Sequence, residues 1–164
     1  MLIPDDNDPQ SAVYESQYIL EWIEAKYPPP EYPAIYPADK SKELFAKKVQ
    51  VVADGMMDAC VLLFFEKQRE KPSEEWMGRQ KRKVEGGLKA LDGWIQEKEF
   101  IVDDQFSLAD VAAGSILGYM KVRYQENKWQ EMYPNLKKYS DGLEKRNSFK
   151  ETVPYPQTIT DRIV

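Results

Sequence analysis

The 164-residue chain contains no histidine. That absence removes the side chain most often used as a general base and as a metal ligand, and with it every serine–histidine or cysteine–histidine nucleophile pair. Cysteine occurs once, as Cys60, so no internal disulfide and no cysteine zinc site can form, which suits a reducing, cytoplasmic compartment. Long apolar runs are missing as well. No stretch approaches the roughly 18 residues of a membrane helix, and no charged-then-apolar leader opens the sequence, so no membrane role is expected. Positive charge is in deficit: 23 lysines and arginines face 28 aspartates and glutamates, for a net charge of −5. With no basic block, nucleic acid is not the expected partner. No Gly-rich phosphate loop or ligand-spaced cluster stands out, so neither a metal nor a resident cofactor is expected. What is there is a globular composition, 42% hydrophobic and 31% charged, sized for one domain or one domain with a stub.

The first 28 residues read differently from the rest. Residues 1–4 are a short apolar run, residues 5–10 (DDNDPQ) are turn chemistry, and residues 11–15 (SAVYE) alternate like a strand. The pair predicts a hairpin with a long loop. Ser16 is then expected to cap a helix, QYILEWIEAKY, whose Ile19, Leu20, Trp22 and Ile23 form an apolar stripe. Three prolines, Pro28, Pro29 and Pro30, end it. Residues 27–39 (YPPPEYPAIYPAD) carry five prolines and predict a semi-rigid connector, with Tyr32, Ile35 and Tyr36 large enough to pin it to a surface.

Residues 41–146 read as helical almost throughout. A first long helix is expected from about Lys40 to Lys71, with Leu44, Phe45, Val49, Val52, Met56, Met57, Cys60, Leu63 and Phe64 at helical spacing and a bend at Gly55. The next starts at Ser73 with the stripe Trp76, Gln80, Val84, Leu88, Leu91 and Ile95. The mid-helix pair Gly86 and Gly87 costs about 1 kcal/mol per glycine relative to alanine, which predicts a close backbone neighbour. Ser107 and Asp110 have the spacing of a capping box, and Phe106 with Val111 that of a hydrophobic staple. The body VAAGSILGYM has no charge on any face, so this helix is expected to be buried on all sides at the centre of a bundle. A last helix after Pro134 turns Leu136, Tyr139 and Leu143 inward, and the tail from Phe149 onward is expected to wrap the surface.

These pieces, taken in order, resemble the glutathione transferases, in particular the bacterial and fungal members. The matching segments are YESQYILEWIEAKYP, IYPAD, ADGMMDAC, KVEGGLKALD, FSLADVAAGSILGYM, YPNLKKY and EKRNSFKETVP, over about residues 14–154. The resemblance implies a mainly α fold: a glutathione-transferase C-terminal-type helical bundle at residues 40–164, a proline-rich linker at 29–39, and at 1–28 a residual β-hairpin and helix from a thioredoxin-like α/β domain. It implies conjugation of the glutathione thiolate to small hydrophobic electrophiles, with glutathione as co-substrate. It also implies a homodimer, with Phe45, Val52 and Met56 near the two-fold axis. The thiol-activating residue falls upstream of Met1 in this correspondence, so no catalytic residue is assigned, and the expectation is of a longer polypeptide. The competing reading is a non-catalytic assembly module, since similar helical domains serve in translation factors and synthetase complexes.

Candidate site residues follow. Glu15 and Ser16 match the family's glutamate–serine pair. A helix N-terminus offers N–H groups and partial positive charge to the γ-glutamyl carboxylate, and the Glu15 carboxylate can pair with the ligand ammonium. By themselves the two residues equally suit a strand-end charge and an N-cap. Asp54 and Asp58, one turn apart, could form a carboxylate pair, face solvent, or border the cleft or the partner subunit. Tyr119 and Arg123 end the central helix and are candidates for the second-substrate cleft, against core packing and a surface charge. Ser107 and Asp110 are read as structural, and Cys60 as an inert core thiol.

Overall fold

The computed structural model describes residues 1–4, 11–156 and 158; the turn expected over residues 5–10 lies outside them. The chain divides into two compact units, Met1–Pro37 and Ala38–Val164.

In the first unit a single antiparallel bridge joins Leu2 and Val13, whose N–H groups donate to each other's carbonyls at 2.9 and 2.8 Å. Among the described residues the expected hairpin is therefore one bridge and not a ladder, in line with the marginal stability of two isolated strands. Helix α1 (Ser16–Lys26) follows. The sequence made Ser16 its cap, but Glu15 holds that position and Ser16 is the first helical residue. The expected stripe exists, yet α1 has no buried residue: Ile19, Leu20 and Trp22 are half-buried and Ile23 is exposed. Beyond it the proline-rich segment folds back on the helix. Ile35 N–H donates to Glu24 Oε2 at 3.1 Å, and the Tyr27 and Tyr32 rings meet edge to face at 5.1 Å.

The second unit holds α2 (Lys40–Glu66), α3 (Glu74–Ile95), α4 (Leu108–Arg123), α5 (Trp129–Met132), α6 (Pro134–Leu143) and α7 (Asn147–Glu151). Asp39 caps α2 by accepting from Lys42 N–H at 3.0 Å, and Ser73 caps α3 by accepting from Trp76 N–H at 3.2 Å. The α2–α3 turn is closed by Glu66, which accepts from Ser73 N–H at 2.7 Å. That contact places the end of α2 at Glu66, short of the expected Lys71. Helix α2 packs on both α3 and α4, and α6 closes against α3, α4 and α5. The core is made by Val49, Met56, Leu63, Val84, Leu88, Leu91, Ile116, Leu117 and their neighbours, all nearly inaccessible.

Two members of the expected stripes are outside the core. Leu44 is 57% exposed and Trp76 40%, while Ala46 and Met77 hold the buried positions. The reason is geometric: the buried face of a helix drifts along its length, so the first residue of a run can fall off it. The expected backbone neighbour at the glycine pair is instead a side chain. A Cβ on Gly87 would collide with the Met56 thioether, whereas one on Gly86 meets nothing. Helix α4 is less enclosed than the uncharged body at residues 111–120 suggests. Eight of its residues are buried, but Ser115 is exposed, with its hydroxyl donating to Val111 O at 2.7 Å. Before α4, Asp103 and Asp104 take φ of 52° and 53° between the bridged residues Val102 and Gln105. This is a tight turn that aspartate tolerates better than most side chains.

Candidate functional site

The α1 N-terminus has a definite geometry. Glu15 sits at φ 70°, a left-handed conformation uncommon outside glycine and a form of local strain met at binding sites. Its carboxylate turns onto the helix end, where Oε2 accepts from Gln17 N–H at 3.1 Å and Tyr18 N–H at 3.3 Å. Oε1 accepts from the Ser16 hydroxyl at 3.3 Å. Glu15 and Ser16 are thus brought together at a helix terminus, but the N–H groups expected to be free are held by Glu15 itself.

In the helical unit, Asp54 and Asp58 both lie on the exposed face of α2. Tyr119 and Arg123 are half-buried on α4. The Arg123 guanidinium lies 4.6 Å from the centre of the Phe64 ring, so α4 and α2 meet there through a cation–aromatic contact. Burial raises the Tyr119 phenol above its ordinary range, with Arg123 opposing. Nearby, burial pushes the Tyr124 phenol up to about 12, and burial pushes the Cys60 thiol up to about 12. None of these groups is shifted toward the anion, so none is suited to activate a thiol or to act as a thiolate.

Asp110 does what the capping box requires, and more. Its Oδ2 accepts from Ser107 N–H at 2.9 Å and from the Ser107 hydroxyl at 3.2 Å. Oδ1 accepts from Ile101 N–H at 3.0 Å and from the Tyr139 hydroxyl at 2.8 Å. One inaccessible carboxylate thereby ties the turn before α4, the α4 cap and α6 together. Burial raises its pKa, and the four donors pull it back part-way. Phe106, just before the cap, lies under the Arg146 guanidinium at 3.7 Å and against Phe149 at 6.5 Å.

One concavity of the helical unit was not foreseen from the sequence. It is a mostly apolar cleft of about 450 Å³ between α4, α6, α7 and the segment after α7, with Gly114 and Gly118 on its floor and Leu143, Phe149, Val153 and Pro154 around it. The signal in the sequence was the run of small residues in α4, Ala112, Ala113, Gly114, Ser115 and Gly118. Neither Tyr119 nor Arg123 lines this cleft. No described helix is long and apolar enough to cross a membrane.

The helical unit is thus a bundle in which α4, started by the Ser107–Asp110 capping box, packs against α2 and α6. Residues 52–147 match the model for the glutathione S-transferase C-terminal domain, and the chain belongs to the glutathione S-transferase family. It is 31% identical over 143 residues to the uncharacterized GST-like protein YibF of Escherichia coli, covering 86% of this chain and 69% of that one. It is 30% identical over 149 residues to a probable glutathione S-transferase of Nicotiana tabacum, covering 87% of this chain and 61% of that one. Among solved structures, a Methylobacterium radiotolerans glutathione S-transferase in complex with glutathione sulfonate is similar over 100% of this chain and 82% of its own, at 42% identity and a TM-score of 0.87. A Methylobacillus flagellatus glutathione S-transferase with glutathione bound is similar over 90% of this chain and 73% of its own, at 33% identity and a TM-score of 0.81.

Proposed function

We propose that the chain is part of a glutathione transferase that conjugates the glutathione thiolate to small hydrophobic electrophiles. The observation that carries this reading is the 42% identity, over the whole of this chain, to a transferase holding glutathione sulfonate. Glu15 and Ser16 are assigned to the γ-glutamyl group. For its carboxylate to reach Gln17 and Tyr18 N–H, the Glu15 side chain swings off the helix end and pairs with the ligand ammonium, so binding exchanges one carboxylate cap for another. The 450 Å³ apolar cleft, within the range of small-molecule pockets, is assigned to the electrophile.

Thiol activation is assigned to no residue of this sequence; burial raises the Cys60 thiol and the Tyr119 and Tyr124 phenols, which disfavours their anions. Conjugation by the 164-residue chain alone is therefore expected to be undetectable, and activity is expected of a longer polypeptide that adds a thiol-activating segment. A homodimer is part of the same proposal. A groove of about 340 Å³ runs along α2 and α3 past Val51, Val52, Gly55 and Gly86, and Val51 is 65% exposed. Phe45 and Val52 are half-buried, and Met56 is buried against Gly87, so Val51 is the better candidate for the two-fold contact.

The test is calorimetric titration of glutathione into the purified chain, with Ser16→Ala as the comparison. One saturable site per chain, weakened about tenfold by the substitution, is expected for the loss of a hydrogen bond to a charged group. No heat at millimolar glutathione from folded protein overturns the assignment of Glu15 and Ser16 and leaves the assembly-module reading.

A further inference from the structure

We infer that a cleft between the segment just after α3 (residues 96–100) and one face of α6 is a binding site for a small phosphate ester, separate from the site proposed above. The cleft has a volume of about 250 Å³. Its basic lining comes from three places in the chain: Lys98 just after α3, Lys138 on α6, and Lys145 with Arg146 in the turn before α7. Two carboxylates, Glu97 and Glu99, share the lining. Four cations against two anions leave an excess of positive charge in a chain whose net charge is −5.

Elsewhere in this unit the cations near α6 are matched. Lys137 pairs with Asp141, and Lys121 pairs with both Asp141 and Glu144. None of the six charged residues of the cleft takes part in an ion pair among the described residues. Lys98 Nζ donates to Trp94 O at 3.2 Å, and Arg146 is held by aromatic rings. Its guanidinium stacks over Phe106 at 3.7 Å and lies 5.8 Å from the Phe100 ring, which holds the planar fork in place without using its in-plane donors. Gly142 keeps the α6 wall low, since a Cβ there would have nothing within 4 Å.

The chemistry points to phosphate. A pre-positioned guanidinium fork and several flexible ammonium groups together match a group with three oxygens and up to two charges, which a single carboxylate would underuse. The size points to a small ester. The cleft is below the roughly 300–1,000 Å³ of drug-sized pockets, and Phe100 gives it one aromatic wall for the organic part.

The test uses the whole 164-residue chain, labelled with nitrogen-15, and follows its amide spectrum during titration with phenyl phosphate, with inorganic phosphate, and with sodium chloride at matched ionic strength. Saturable shifts confined to residues 96–100 and 135–146 are expected with phenyl phosphate, which binds at least threefold more tightly than inorganic phosphate. The double variant Lys138→Glu, Lys145→Glu is expected to weaken binding at least tenfold, whereas Lys89→Glu, an exposed charge on α3 outside the cleft, changes it less than twofold. If the double variant loses the dispersed spectrum of a folded chain, Lys145→Glu alone replaces it, with a threefold loss expected. The inference is overturned if chloride reproduces the shifts, if Lys89→Glu weakens binding as much as the cleft variant, or if inorganic phosphate and the ester bind equally.

Discussion

Helices α1 and α4 invite comparison because both carry an unmistakable apolar pattern and only one of them is buried. Helix α1 spans 11 residues and buries none. Helix α4 spans 16 and buries eight, among them Leu108, Ile116, Leu117 and Met120. Their ends differ in the same way. At α1 the cap is Glu15, an exposed carboxylate in a strained backbone conformation. At α4 it is Ser107 working with Asp110, both inaccessible, with Asp110 also accepting from Ile101 N–H and the Tyr139 hydroxyl. An apolar stripe states that a helix expects a partner, but only packing supplies stability, because helices of this length are marginal alone. The α4 end thus holds the fold together, whereas the α1 end is exposed and bonded only locally.

The largest break in that contrast is Asp110→Ala. It strands Ile101 N–H, Ser107 N–H and the Tyr139 hydroxyl in the interior, and urea unfolding is expected to show a loss of about 3–5 kcal/mol. Overpacking comes next. A Cβ on Gly114 would run into Phe149 and Leu143, so Gly114→Ala is expected to cost about 1–3 kcal/mol, measured the same way. Gln80 provides a change of opposite sign. Its side chain is inaccessible and both amide atoms lack a hydrogen-bond partner, so Gln80→Met, of similar volume, is expected to raise stability by about 1 kcal/mol. The smallest effect is expected from Trp22→Ala on the half-buried face of α1, below about 1 kcal/mol in the same assay. A loss of several kcal/mol there would erase the distinction between the two helices.

The pH response sharpens the comparison further. Burial raises the pKa of Asp110 in the folded chain, so the native state holds that proton more tightly than the unfolded state. Its contribution is most favourable below the unfolded value near ~3.9, declines as pH rises through the raised folded value, and is constant above it. Tyr139→Phe removes one donor to the carboxylate and is expected to move that decline to higher pH, as read from urea midpoints across the acid range.

Much of this was legible in the sequence, and the exceptions share a physical cause. The capping box could be read because Ser107 and Asp110 are three residues apart and their chemistry is local. The family could be read because several short segments recur in order. The onward bonds of Asp110 to Ile101 and Tyr139 could not, since they join residues 9 and 29 positions away. The same limit hid the collision space at Gly87, where the neighbour proved to be the Met56 side chain, and the cleft floored by Gly114 and Gly118. At α1 the local rule itself misled. Ser16 is the better intrinsic cap, but the longer Glu15 carboxylate reaches two N–H groups and accepts the Ser16 hydroxyl as well. Glu15 and Ser16 were recognisable as a pair, while their arrangement, with the anion already seated on the helix end, was not.

Native-state hydrogen exchange of the 164-residue chain, read amide by amide, tests the central contrast most directly. The account predicts that amides in the middle of α2, α3 and α4 exchange only through global unfolding, while those of α1 exchange through local opening that costs far less free energy. Equal protection of α1 and α4, with the same dependence on denaturant, would contradict it.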